Sequence, residues 1–99
     1  MPKRKTKVTR ISDEHLRRLR NEIPISALIR LHLELPAKVQ EGYLRFLCPL
    51  CDDSYTATNP RTNLARCFRC KKNFNTIDLV MIVRQCPFLD AVAFLEKLL

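Results

Sequence analysis

One glycine in 99 residues excludes a glycine-rich loop able to cradle the phosphates of a nucleotide. The ten acidic residues are scattered and form no carboxylate triad. Histidine is scarce as well, with only His15 and His32. No apolar run approaches the roughly 20 residues of a membrane-spanning helix. The N-terminus is basic, but no hydrophobic stretch follows it as a secretory signal would require. The expectation is a cytoplasmic protein without membrane contact. No internal repeat is visible, and compositional bias is confined to the first eleven residues. A chain of 99 residues is read as one domain, close to the lower limit for a self-sufficient core. Its hydrophobic content of 46% favours folding, and chains of this size often need a staple.

The staple is written in the cysteines. Cys48 and Cys51 form one Cys-x2-Cys pair, fifteen residues follow, and Cys67 and Cys70 form a second. Each pair sets two soft sulfur ligands on one tight turn, and two such turns can face each other across one ion. Four thiolates in a tetrahedron suit a closed, structural Zn²⁺ site with no open water position. Zinc binding in such sites contributes about 10–16 kcal/mol that appears as folding free energy. The competing reading is a disulfide framework, but nothing in the chain points to an oxidising compartment. Cys86 lies outside the tetrad and reads as an unligated thiol, since no His–Asp constellation accompanies it. His15 and His32 fall away from both knuckles and read as surface or boundary residues.

The formal net charge is +8, which points to a polyanionic partner, most simply nucleic acid. Residues 1–10 carry five basic groups and no acid, so 1–11 is read as a flexible basic arm. Such an arm serves either as a solubilising tail or as a phosphate binder. Residues 42–74 carry six basic groups, Arg45, Arg61, Arg66, Arg69, Lys71 and Lys72, against Asp52 and Asp53. A tetrathiolate zinc centre has a charge of about −2, so some of these cations can serve only to offset it.

Local patterns give an α+β chain. Ser12 reads as an N-cap with Asp13 and Glu14 in the first turn, opening an amphipathic helix over 13–22 that buries Leu16, Leu19 and Ile23. Pro24 begins a short second helix with Ile25, Leu28 and Ile29 inward. Leu31, Leu33 and Leu35 then alternate with His32 and Glu34 as in a strand. A loop or hairpin is expected around 36–42, then a strand from Tyr43 to Leu47. The Asn59-Pro60-Arg61-Thr62-Asn63 turn joins strands near 55–58 and 64–68. Asn75 and Asp78 form a capping box for a helix with Ile77, Val80, Met81 and Arg84 on one face. Pro87 starts a last helix with a stripe of Phe88, Ala91, Val92, Leu95 and Leu98. The expected architecture is a small antiparallel zinc ribbon flanked by N- and C-terminal helices, occupying 12–99.

Cys48-Pro49-Leu50-Cys51, Cys67-Phe68-Arg69-Cys70, the Asn75–Met81 stretch and the Phe88–Leu95 stretch together resemble the zinc-binding domain of bacterial-type DNA primases. That family has Cys-Pro-x-His, Cys-Phe-x-Cys, a Gly-Asp/Asn-x-Ile-x-Phe helix start and a Phe-x-Glu-Ala-Val-x-x-Leu helix in this order. This chain departs from it at Cys51, where the family usually has His, and at Arg69, Lys71 and Phe74, which replace glycines. The resemblance implies a primase-type domain over 12–99, one structural Zn²⁺ and single-stranded template lying on the sheet of the ribbon. It also implies a polymerase domain with Mg²⁺-binding carboxylates, for which 99 residues leave no room, so the chain is expected not to be an enzyme by itself.

Tyr43, Phe46, Tyr55, Phe68 and Phe74 are interleaved with the cations of the ribbon. Phe46 is opposite in strand parity to Tyr43 and reads as core, and Phe68 sits between ligands where it can shield the metal. Arg61, Arg66, Arg69, Lys71 and Lys72 are the candidate phosphate contacts, and Tyr55 is the candidate stacking ring. The functional expectation is a non-catalytic zinc ribbon that holds single-stranded DNA in replication or primer initiation, as in a mobile element. The alternatives are an adaptor or regulator that binds a helicase or a primase or polymerase subunit, and a fragment of a longer primase.

Overall fold

The structure is a computed structural model that describes residues 11–99, so the basic arm expected over 1–11 lies outside the described residues except for Ile11. Ile11 is partly buried against the core. Helix α1 (Asp13–Asn21) begins where its cap allows: the Ser12 hydroxyl accepts the His15 N–H at 3.1 Å, and Asp13 and Glu14 occupy the positive end of the helix. Leu19 is fully buried and Ile23 nearly so.

Pro24 then caps a short helical turn, α2 (Ile25–Ala27), which continues as a π-helical segment, Leu28–His32. Ile25, Leu28 and Ile29 are buried as their spacing requires. The strand expected from Leu31, Leu33 and Leu35 is not formed. The Leu33 N–H donates to the Leu28 carbonyl at 2.8 Å and the Leu35 N–H to the Ile29 carbonyl at 2.9 Å, so these backbone groups are satisfied locally and offer no ladder. The period-two leucines are a coincidence of a widened helical turn, and Leu31 is 69% exposed.

The sheet is a meander in the order β1-β2-β3-β4-β5, antiparallel throughout. Strand β1 (Ala37–Gln40) follows Pro36, in the segment expected to be a loop or hairpin. Its link to β2 (Tyr43–Phe46) needs two left-handed residues, Glu41 at φ 57° and the lone glycine, Gly42, at φ 84°. Strands β3 (Thr56–Asn59) and β4 (Leu64–Cys67) flank the Asn-Pro turn as expected. Strand β5 (Lys72–Phe74) was not anticipated, being too short for its alternation to show. It pairs with β4 and drives Phe74 into the core beside Ala65.

Helix α3 (Thr76–Arg84) opens with the capping box in full. The Asp78 N–H donates to Asn75 Oδ1 at 2.8 Å and the Asn75 N–H to Asp78 Oδ2 at 2.9 Å. Helix α4 (Phe88–Glu96) follows Pro87, and its buried stripe is Ala91, Val92 and Leu95. Phe88, expected to lead that stripe, is 39% exposed. One core forms where α1, α2, α3 and α4 meet the inward residues of the sheet, among them Leu44, Phe46, Ala65 and Phe74. The result is the α+β ribbon with flanking helices that the patterns imply. No helix among the described residues is long and apolar enough to cross a membrane.

Two polar clasps join the layers. The buried Thr76 hydroxyl donates to the Leu19 carbonyl at 2.7 Å, tying α3 to α1. Asn63, left-handed at φ 56°, does more. Its amide nitrogen donates to the Arg20 and Ile23 carbonyls at 2.6 and 2.7 Å, and its Oδ1 accepts the Ile25 N–H at 2.9 Å. One turn residue thus satisfies the end of α1 and the start of α2. Replacing Asn63 with Ala is expected to cost about 2–4 kcal/mol, as three partly buried backbone groups lose their partners. Asn63→Gly, which keeps the left-handed backbone, is expected to lose most of that stability too. Denaturant melts of zinc-loaded protein check both, and a glycine variant as stable as the parent would show that the backbone angle alone matters.

Candidate metal centre and the outer sheet face

Cys48 follows β2 and Cys67 ends β4, so the sheet brings the first cysteine of each pair into the core. The two turns repeat each other. The Asp52 N–H donates to the Cys48 carbonyl and the Lys71 N–H to the Cys67 carbonyl, each at 2.8 Å. Asp52 and Lys71 are both left-handed, at φ 63° and 59°. Each turn also aims a backbone donor at sulfur: the Leu50 N–H lies 3.4 Å from Cys48 Sγ and the Cys70 N–H 3.2 Å from Cys67 Sγ. Such donors favour the thiolate form that binds metal.

All four sulfurs lie within 4.8 Å of one another. Cys48 Sγ is 3.9 Å from Cys70 Sγ, and Cys51 Sγ is 3.5 Å from Cys67 Sγ. A tetrahedron with Zn–S bonds of ~2.3 Å has edges of about 3.8 Å, so the donor set fits zinc in size as well as chemistry. The group supplies cross-linking, not reactivity, since four thiolates leave no position for water or substrate. Cys86 lies apart, its thiol directed to the Val80 carbonyl at 3.8 Å. His15 is paired with Glu96 at 2.8 Å, far from the role of a ligand.

The metal-free thiols do not ionise alike. Burial pushes Cys48 up. Burial opposes ionisation at Cys67 too, but the Cys70 N–H, the Thr56 hydroxyl and the Cys51 thiol favour its thiolate and bring it to about 6. Hydrogen bonding with Cys51, followed by burial, pushes Cys70 up to about 12. At neutral pH Cys67 is ionised and Cys70 is a thiol, so zinc loading must expel protons.

The site residues proposed from sequence fall in three places. Arg66 projects outward from β4, its guanidinium 5.7 Å from the centre of the Phe68 ring. Tyr55, 57% exposed, lies just before β3 beneath the Arg45 guanidinium, 5.4 Å from its ring centre. Arg69, Lys71 and Lys72 surround the second knuckle and are exposed. Arg61 stands at the opposite end of the β3–β4 hairpin, about 13 Å away for strands of four residues. Phe46 and Phe74 are core, while Phe68 is 58% exposed and so does not serve as a buried shield.

The register reveals a feature that the sequence reading did not assemble. Lys38, Arg45, Ala57, Arg66 and Asn73 are cross-strand partners in turn, one from each strand, and form a single row on the outer face. Lys38 was hidden because 36–42 read as a loop or hairpin, with no strand or register assigned to it. Arg45 was visible, since it shares parity with Tyr43 against the buried Leu44 and Phe46. It is also the best-anchored cation: Nη1 donates to the Tyr55 carbonyl at 2.9 Å and Nη2 to Glu41 at 3.0 Å. Its Nε is buried without a partner, a cost of about 1–3 kcal/mol accepted to hold the side chain across the sheet.

Zinc analysis is expected to find one ion per chain, lost in Cys67→Ser together with the folded ribbon and retained in Cys86→Ser. Zinc affinity should fall as pH is lowered, because each thiol proton regained, first of all at Cys70, excludes a metal bond. Titration of metal-free protein with zinc in weak buffer checks this through acid release. Zinc retained by Cys67→Ser would overturn the ligand assignment.

The family model of the CHC2 zinc finger matches residues 11–99. A DNA primase of Streptomyces coelicolor (strain ATCC BAA-471 / A3(2) / M145) is 32% identical over 85 residues, which cover 84% of this chain and 13% of that protein. The chain therefore spans about an eighth of the curated relative it matches. Four clustered cysteines, the ribbon that carries them and these matches agree: the chain belongs to the CHC2 zinc-finger family and is a primase-related domain built on one structural zinc.

Proposed function

We propose that this ribbon is a non-catalytic module that holds single-stranded DNA for primer initiation, with polymerisation carried out by a separate domain or subunit. The observation that carries the reading is the outer row of Lys38, Arg45 and Arg66, with Arg45 and Arg66 each stacked on a ring that is more than half exposed. Cations neutralise phosphates while rings accept bases, and this pairing is how single strands are bound without a duplex groove. Arg69, Lys71 and Lys72 extend the positive surface towards the second knuckle. Among the described residues, the acid bonded to this row is Glu41, 73% exposed, whose surface ion pair with Arg45 is weak enough for a phosphate to replace. Relationship to a DNA primase supports the same substrate class.

A second surface favours a protein partner. Leu47 and Leu50, beside the first knuckle, are 43% and 49% exposed. They would suit contact with a helicase or a primase or polymerase subunit, and an adaptor role rests on them.

Salt dependence separates the two. Labelled single strands titrated with zinc-loaded protein should bind less tightly as salt rises, with the log–log slope reduced by about 0.7 for each phosphate contact removed. Changing Arg66 and Arg69 together to Ala should lower both affinity and slope. Wild-type binding by that double variant, with zinc intact, would move the reading to the adaptor.

A further inference from the structure

Strand β3 lies in a trough. Its outward residue in the cationic row is Ala57, the smallest side chain there, whereas the neighbouring strands place Arg45 and Arg66 directly beside it. Two residues along, Tyr43 on β2 and Leu64 on β4 continue the ridges, and Asn59 on β3 closes that end of the trough. The space between holds about 440 Å³; its sides are Tyr43 and Arg45 against Leu64, Arg66 and Phe68, and Ala57 and Asn59 lie along its floor. That volume lies within the range of small-ligand sites. Arg45 cannot swing freely into it, since Tyr55 and Glu41 hold two of its nitrogens.

Its width follows from sheet geometry. Ridges two strands apart stand about 9.6 Å from each other at the backbone. A base is ~3.4 Å thick, the spacing of stacked nucleotides. One base between two planar walls needs about 6.8 Å between the wall centres, which ridges at this spacing accommodate. The walls are guanidinium groups and aromatic or aliphatic side chains, which favour a flat, electron-rich face.

Resting on the single-strand reading above, we infer that the trough over Ala57 is a slot for one nucleobase, inserted on edge between the Arg45 and Arg66 ridges. Ala57 is then a positioning residue by virtue of what it lacks. Phosphates on either side of the inserted base meet Lys38 at one end of the row and the knuckle cations at the other. Affinity therefore depends on the base itself and not on charge alone.

The test uses zinc-loaded protein of full length and fluorescent oligothymidylate, with an abasic strand of equal length and charge as comparison. Wild type should prefer the strand with bases by roughly 5- to 150-fold, the scale of one stacked base. Ala57→Leu should abolish that preference while leaving the salt slope and zinc content unchanged. Ala57→Ser, which adds one oxygen to the floor, should retain most of the preference, so that Ala57→Leu reads the size of the side chain and not the mere fact of substitution. Equal wild-type binding of normal and abasic strands overturns the slot but leaves the phosphate-binding reading standing. So does an Ala57→Leu protein that retains zinc and the full preference. Failure of wild type to bind either strand overturns both.

Discussion

The fold depends on bringing four sulfurs within bonding distance of one ion. The two knuckles are not neighbours in sequence, and only pairing of β2 with β3 and β3 with β4 places Cys48 and Cys67 in the same core. Zinc closes this arrangement and fixes the relative height of the strands. Register has consequences on the far side of the sheet, because a slip of one residue would turn Arg45 and Arg66 inward and Phe46 and Ala65 outward. The metal therefore supports the cationic row without touching it. Helices α1, α3 and α4 complete the core on the inner face, and no element among the described residues packs on the outer face.

Scarcity of glycine shapes how the turns are made. Six non-glycine residues among those described take left-handed backbone angles: Glu34, Glu41, Asp52, Asn63, Lys71 and Gln85. Each such position costs about 1–2 kcal/mol relative to an unstrained one, less for Asn and Asp. Asn63 offsets its share through three side-chain hydrogen bonds. Lys71 is more telling. Of Arg69, Lys71 and Phe74, which the family resemblance sets against glycines, only Lys71 has a left-handed backbone, while Phe74 is part of the core. A lysine there accepts strain and places a positive charge next to an anionic metal centre.

Sequence made the metal site and the helix starts legible, because each depends on a few residues at short range. Cys48, Cys51, Cys67 and Cys70 declare themselves by spacing, Ser12 by the acids after it, and Asn75 by Asp78. The misread segments depend on backbone pairing that side-chain alternation over a few residues does not reveal. Leu31, Leu33 and Leu35 alternate as a strand would, yet their backbone closes on Leu28 and Ile29. Strands β1 and β5 exist because β2 and β4 offer edges to pair with, which four or three residues cannot announce alone. The outer row was partly visible in the parity of Tyr43 and Arg45. Its extent required the register, which joins residues as distant as Lys38 and Asn73.

In the proposed function, single-stranded DNA meets the outer face of a ribbon held by zinc. Amide NMR spectra of zinc-loaded, isotope-labelled protein, recorded as oligothymidylate is added, test it most directly. Shifts are expected to concentrate at Tyr43, Arg45, Ala57, Arg66 and Phe68, with α1 and α4 unmoved. Shifts confined to those helices, or a spectrum unchanged at saturating strand, would contradict it.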